Sequence, residues 1–289
     1  MGNKERLQLI LVFKGAILKK MLPGLTLVAI LTSTLAILHF NSKELQSFNL
    51  SISAALPGYM GAALGLLLVF RNSTAYEKWW EARKEIGTLV NTARNFALCL
   101  NGFLPPKHPQ KNALIELLIS YVFSLKDHLR DKEEFSHLHN LSESDQKLLL
   151  KAKHKPNIIV NIMMNKVELL WKDRDITDFQ QYILIDKLNG LIDVQGKCER
   201  IKNTPIPMAY GFLLKFFINI YVIILPFSLI EDIGWGCVPL VMLLYYILMS
   251  IVITAEEIEE PFGTDLNDLK LDVISHNIGM NIREIIEHE

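Results

Sequence analysis

LPGYMGAALGLLLVFRNSTAYEKWWEARK, residues 56–84, decides the fold. The uncharged run that contains its first half, residues 52–70, is long enough to cross most or all of a bilayer. It then passes, with no Pro or Gly in between, into a charged and aromatic segment with the character of a water-exposed helix. The expectation is one long rod, half in lipid and half in cytoplasm.

At about 100° per residue, Ala54, Gly58, Gly61, Ala62 and Gly65 share one narrow side of the membrane half. Small residues let a neighbouring helix come close in lipid, and Gly61 and Gly65 have the familiar GxxxG spacing. Leu56, Met60, Ala63 and Leu67 share the opposite side, with Leu64 at its edge. Such a face either meets lipid or, if copies of the helix surround an axis, forms stacked apolar rings that gate ions by dewetting. The residues themselves fit both arrangements.

Half of the 289 residues are hydrophobic and the mean hydropathy is positive, a membrane-protein composition. A net charge of −1 gives no argument for nucleic acid. Cys99, Cys198 and Cys237 have neither metal-like spacing nor the makings of a disulfide framework. The first apolar run lacks a small-residue cleavage site, so it is expected as a retained helix and not a signal peptide.

Residues 5–20 put Leu9, Ile10, Val12, Phe13, Ala16 and Ile17 on one side, which suits an interfacial helix or one packed on the cytosolic body. Pro23-Gly24 is expected to break it before a first membrane helix over 25–40. After the rod, Pro105-Pro106 stops the helix, and residues 113–196 carry three helical apolar patterns. Between the first two, a polar stretch over 131–147 includes a helix start at Ser142-Glu143-Ser144-Asp145. His137 and His139 lie there two apart, with no i, i+4 ligand pair, so no metal is expected.

Third and fourth membrane helices are expected over 208–230 and 235–254, joined by a turn at 231–234. Lys215 sits two turns into the third, able to snorkel back to the interface or to find a partner. Lys and Arg crowd residues 4–20, 71–94 and 197–202, which places both termini and the helical body in the cytoplasm. Glu256, Glu257, Glu259 and Glu260 form an acidic belt below the bilayer. It either pairs with the basic rod, at Arg71, Lys78 and Arg83, or acts as a negative ring that concentrates cations. The tail 269–289 is amphipathic and is expected to wrap a neighbouring subunit.

Three blocks identify a resemblance. The first is Arg71-Asn72, Tyr76, Trp79-Trp80, Glu81-Ala82-Arg83 and Gly87; the second is Cys198-Glu199-Arg200-Ile201, Thr204-Pro205-Ile206-Pro207 and Tyr210. The third is Ala255-Glu256-Glu257-Ile258-Glu259-Glu260-Pro261-Phe262-Gly263-Thr264-Asp265 with Asn267-Asp268. Together they resemble the bestrophin family, especially its bacterial branch. The resemblance implies an all-α integral membrane protein over residues 1–289, a single domain with four transmembrane helices and a large cytosolic helical region. It implies a homopentamer in the bacterial inner membrane, with membrane lipids and permeant ions as its other partners.

By the same resemblance, the second membrane helix lines the pore neck, with Leu56, Met60 and either Ala63 or Leu64, then Leu67, as rungs. Ile206, between two prolines, matches the family's narrow cytosolic exit. The family's calcium clasp is interrupted here by Thr264, Leu266 and Asn267, which leaves Asp265 and Asp268 as the remaining metal candidates. Monovalent cations are the expected permeant ions, with an anion channel of the same architecture, or a secondary transporter, as alternatives. A proton-coupled transporter would need carboxylates inside its membrane helices, and none is found. An enzyme would need converging nucleophile, acid, base or metal ligands, and no such motif occurs, so no cofactor is expected.

Overall fold

The computed structural model describes residues 3–41, 52–53, 55–132 and 140–287, with side chains from residue 18 onward. Ala54, His137, His139, the 42–51 loop and the side chains of the first helical turns lie outside the described residues. Among those described there are helices and turns and no strand. In chain order they are α1 Asn3–Asn41, α2 Ala55–Phe103, α3 Pro109–Leu129, α4 Glu143–Lys151, α5 Lys155–Lys172, α6 Asp178–Asn203, α7 Met208–Ile233, α8 Cys237–Glu259 and α9 Leu271–Glu287. They form two compact units, residues 1–77 with 205–259 and residues 78–204 with 260–289.

The first unit holds α1, the apolar start of α2, and α7 and α8. Leu18–Asn41 is long and apolar enough to cross a membrane, and so is part of the helical run Asp178–Glu259. Leu64 and Leu68 of α2, Ile218 and Val222 of α7, Val241 and Tyr245 of α8 and Val28 of α1 make one buried cluster. Helices bond most of their backbone polar groups internally, which is what hydrocarbon demands.

Pro23-Gly24 does not break α1, which runs straight through it. A proline costs a helix one N–H bond, but in membrane helices local rearrangement makes up the loss. Gly24 has a packing reason for its place: a Cβ there would run into the Tyr245 ring and hydroxyl of α8. The second correction concerns the hairpin. Glu231 and Asp232 stay in α7, and the chain turns at Gly234–Gly236, a single 3-10 turn. Gly234 has φ of 54°, a left-handed conformation open to glycine and strained for other residues.

The second unit is built around α3, whose Leu114, Leu117, Leu118, Tyr121 and Leu125 are buried. Against it lie the apolar faces of α5 and α6, in the positions their periodicity predicts. The helix starts are capped from the sequence. Ser142 caps α4 as expected, His154 caps α5 ahead of Pro156, and Thr177 with Gln180 forms a capping box on α6. The Tyr121 hydroxyl, fully buried, donates to the Leu191 carbonyl at 2.7 Å and so joins α3 to α6. Burial also pushes the Cys198 thiol up to about 12, which leaves it inert.

Within the tail, Leu271, Ile278 and Ile282 of α9 pack on their own chain, while Val273 and Met280 stay exposed. Gly279 lets α9 approach Ile119 and Phe123 of α3. Arg130 donates to Asp272 at 2.6 Å and, with Lys126, holds its carboxyl below the usual carboxylate range.

Tyr121→Phe removes one buried hydrogen bond and leaves the Leu191 carbonyl without that donor. It should lower unfolding free energy by about 1–3 kcal/mol, read as a reduced melting temperature with unchanged helicity by circular dichroism.

Candidate functional site

The first turns of α2 carry the residues proposed from sequence to line a pore. The helix buries the face that contains Leu64 and Leu68, which are 1% and 5% exposed. Leu56 is exposed, as are Ala63 and Leu66, while Met60 is half-buried. Leu67 packs partly against the buried cluster. Leu64 therefore leaves the set of candidate rungs: a side chain enclosed by its own subunit cannot face a lumen. Leu56, Met60, Ala63 and the partly buried Leu67 remain, one behind another along one side.

The small-residue stripe is not where α2 meets its own subunit. Of Gly58, Gly61 and Gly65, only Gly61 is approached within the chain, by the Tyr221 hydroxyl, 3.2 Å from where a Cβ would stand. Added Cβ atoms at Gly58 and Gly65 would meet nothing within 4 Å among the described residues. Bulky Leu64 and Leu68 make the intramolecular contact instead.

The acidic belt resolves into a collar of ion pairs at the end of α8. Glu256 takes Lys215 of α7 at 2.6 Å, and Glu257 takes Lys20 of α1 at 3.0 Å. Glu259 takes Arg71 of α2, with 9% and 13% of the two side chains exposed in the order Arg71, Glu259. Lys215 thus ends on a carboxylate. Three carboxylates of one helix end bind three different helices.

Glu259 has a second task. Its Oε1 accepts the backbone N–H of Ile206 at 2.7 Å, while its Oε2 receives Arg71. Prolines have no N–H, so Ile206 offers the single backbone donor between Pro205 and Pro207. The carboxylate takes that donor and fixes the backbone at the proposed exit. A cavity beside it is lined by Leu67, Phe70, Arg71, Ile206, Tyr210 and Leu214. The sequence pointed to an Arg71 pairing with the belt; the amide contact had no sequence signal beyond the two prolines.

Asp265 and Asp268 are joined through the loop backbone. Asp268 is buried and its Oδ2 accepts the Asp265 N–H at 2.6 Å, while the Asp265 side chain lies in an exposed position. A Cβ on Gly263 would sit 2.5 Å from that same Oδ2, so the glycine makes room for the loop's own carboxylate. Trp79 closes the loop by donating to the Asn267 carbonyl at 3.0 Å. Among the described residues, the group spaced to hold a metal is His128, His154 and Glu199. It was missed because its members stand far apart in sequence, on three helices.

The sequence profile of the bacterial and fungal bestrophin proteins matches residues 2–284. A voltage-dependent anion channel-forming protein of Synechocystis sp. is 35% identical over 231 residues, 78% of this chain and 75% of that one. One of the same description from Salmonella typhi is 28% identical over 280 residues, 96% of this chain and 91% of its own. Among solved structures, a variant of a bacterial bestrophin homologue from Klebsiella pneumoniae superposes with a TM-score of 0.84 at 28% identity. That match covers 92% of this chain and 98% of the other.

Arg71→Ala strands the Glu259 carboxylate in a nearly closed site and should destabilise the protein by about 3–5 kcal/mol. Replacing both partners, Arg71→Met with Glu259→Leu, should recover a large part of that loss. Thermal unfolding of the purified protein checks both, and equal losses in the single and double variants would show that the pair does not act as a unit.

Proposed function

The chain belongs to the bestrophin family, a family of ion channels and not of enzymes, and on that premise we propose that it forms a homopentameric, anion-conducting channel. Four membrane segments per subunit are expected: the second half of α1, the start of α2, α7 and α8. The two compact units then correspond to the membrane and cytosolic parts of a single bestrophin-like domain. Five copies of α2 surround an axis, with Leu56, Met60 and Ala63 as an apolar neck and Ile206 as the cytosolic aperture. Subunit number and the placement in a bacterial inner membrane rest on the family resemblance.

The observation that carries the anion reading is the collar. Glu256, Glu257 and Glu259 are each matched to a cation of their own subunit, which leaves Glu260 as the exposed carboxylate of the belt and weakens the negative ring that a cation preference would use. The start of α2 points the same way. Its first turn has no acidic residue, and the positive end of the helix dipole stands beside Leu56, where it favours an anion. The description of the curated relatives as anion channel-forming proteins supports this over the cation expectation.

An apolar ring offers no ligand that replaces an ion's water, so the neck acts on conduction through its width and wetting. Leu56→Ala and Met60→Ala should each raise ion flux several-fold in liposomes. Leu64→Ala instead opens a cavity inside the subunit and should cost about 2–5 kcal/mol of stability without raising flux. Ile206→Ala should increase conductance or change ion preference, since Glu259 holds the backbone there whatever the side chain. In planar bilayers with asymmetric KCl, the reversal potential of the purified protein should move toward that of chloride. Movement toward potassium would return the cation reading.

A further inference from the structure

The second unit carries a cluster that has no part in the proposed conduction path. His128 lies in the last turn of α3, His154 at the start of α5 and Glu199 just before the last turn of α6. Their ligand-capable atoms all fall within 4.8 Å of one another. His128 Nε2 is 3.2 Å and His154 Nε2 3.0 Å from the same oxygen, Glu199 Oε1. The two rings are 4.4 Å apart between centroids and tilted by 44°, so they converge on the carboxylate and do not stack. The Gln195 amide also donates to that oxygen at 3.0 Å, while holding Asn157 Oδ1 at 2.6 Å.

We propose that His128, His154 and Glu199 bind a divalent transition-metal ion, Zn²⁺ by their chemistry, one per subunit. Two imidazoles and one carboxylate form a borderline N/O donor set that suits Zn²⁺ over Ca²⁺ or Mg²⁺. The spacing agrees. Bonds of about 2.0–2.1 Å in a tetrahedron put neighbouring donor atoms about 3.3 Å apart, and the two N···O separations here are 3.0 and 3.2 Å. Where two ring N–H groups aim at one carboxylate oxygen, one metal ion can replace both. Roughly a third of each imidazole and a quarter of the Glu199 side chain are exposed, which leaves an entry path and a fourth position for water.

The surroundings fit a loaded site. The Gln195 amide orients Glu199 from outside the ligand set, a common second-tier arrangement. Lys202, the nearest cation, is turned aside to Asp131 at 2.6 Å and to the His128 carbonyl at 2.9 Å. One contact opposes binding. His154 Nδ1 accepts the Asn157 N–H at 3.4 Å as the cap of α5, and a metal on Nε2 moves the ring proton to Nδ1. Metal binding therefore exchanges a long cap bond for a link between three helices.

The test uses the purified full-length protein, stripped with a chelator and titrated with ZnCl₂ alone. Bound zinc is measured by mass spectrometry after dialysis and affinity by competition with a chromophoric chelator. One zinc per subunit is expected, with at least tenfold weaker binding in His154→Ala and in Glu199→Gln, and no change in His276→Ala, which lies on α9. Zinc should raise the melting temperature by about 3 °C or more, an effect absent from His154→Ala. Because a variant that folds poorly also loses metal, His128→Cys supplies a positive readout: loaded with Co²⁺, it should gain a thiolate charge-transfer band. The proposal is overturned if His154→Ala binds zinc as the native protein does, or if His128→Cys binds Co²⁺ without that band.

Discussion

A charge placed where water is scarce must have a partner, and in this chain that requirement is met at the end of one helix. Glu256, Glu257 and Glu259 of α8 each hold a cation from a different helix: Lys215, Lys20 and Arg71. The first two pairs are substantially open to solvent and count for little energy on their own. The third is nearly closed, and there each partner makes the other's burial tolerable. Apolar side chains pack this unit without fixing one register; the three pairs set which turn of each helix faces which. Leu64 and Leu68 then fall into the core, Leu56 and Ala63 are left on the outside of the subunit, and Met60 lies between.

Much of this was legible in the amino acids. The 49-residue helix α2 showed itself through an uncharged run flowing into a polar helical pattern without a break. The body helices α3, α5 and α6 followed from apolar residues three and four apart, and Ser142 announced the start of α4. What failed did so for one reason: local rules were applied where a distant contact decides. Pro23-Gly24 reads as a break in isolation, but Tyr245 needs the glycine's empty side. Leu64 sits between two faces at helical spacing, and α7 and α8, beyond the reach of periodicity, decide which one. His128, His154 and Glu199 were invisible because no spacing rule joins three helices.

The loop after α8 shows the same logic turned inward. In its family's calcium-binding members the corresponding run is acidic; here Asp268 bends back to its own loop, and Gly263 leaves space for it. That carboxylate accepts a backbone N–H through one oxygen, Oδ2. His128 and His154 on the body offer donors of a different chemical softness, the basis of the proposed imidazole site.

The tether on residue 206 grips the main chain and ignores the side chain. Pro205 and Pro207 silence the adjacent amides, so Glu259 has one handle to hold. A position anchored in this way behaves like an interchangeable fitting: its width and polarity can be altered by single substitutions while the mount stays intact. At this proposed aperture, homologous chains can therefore diverge in side chain without first redesigning the scaffold around it.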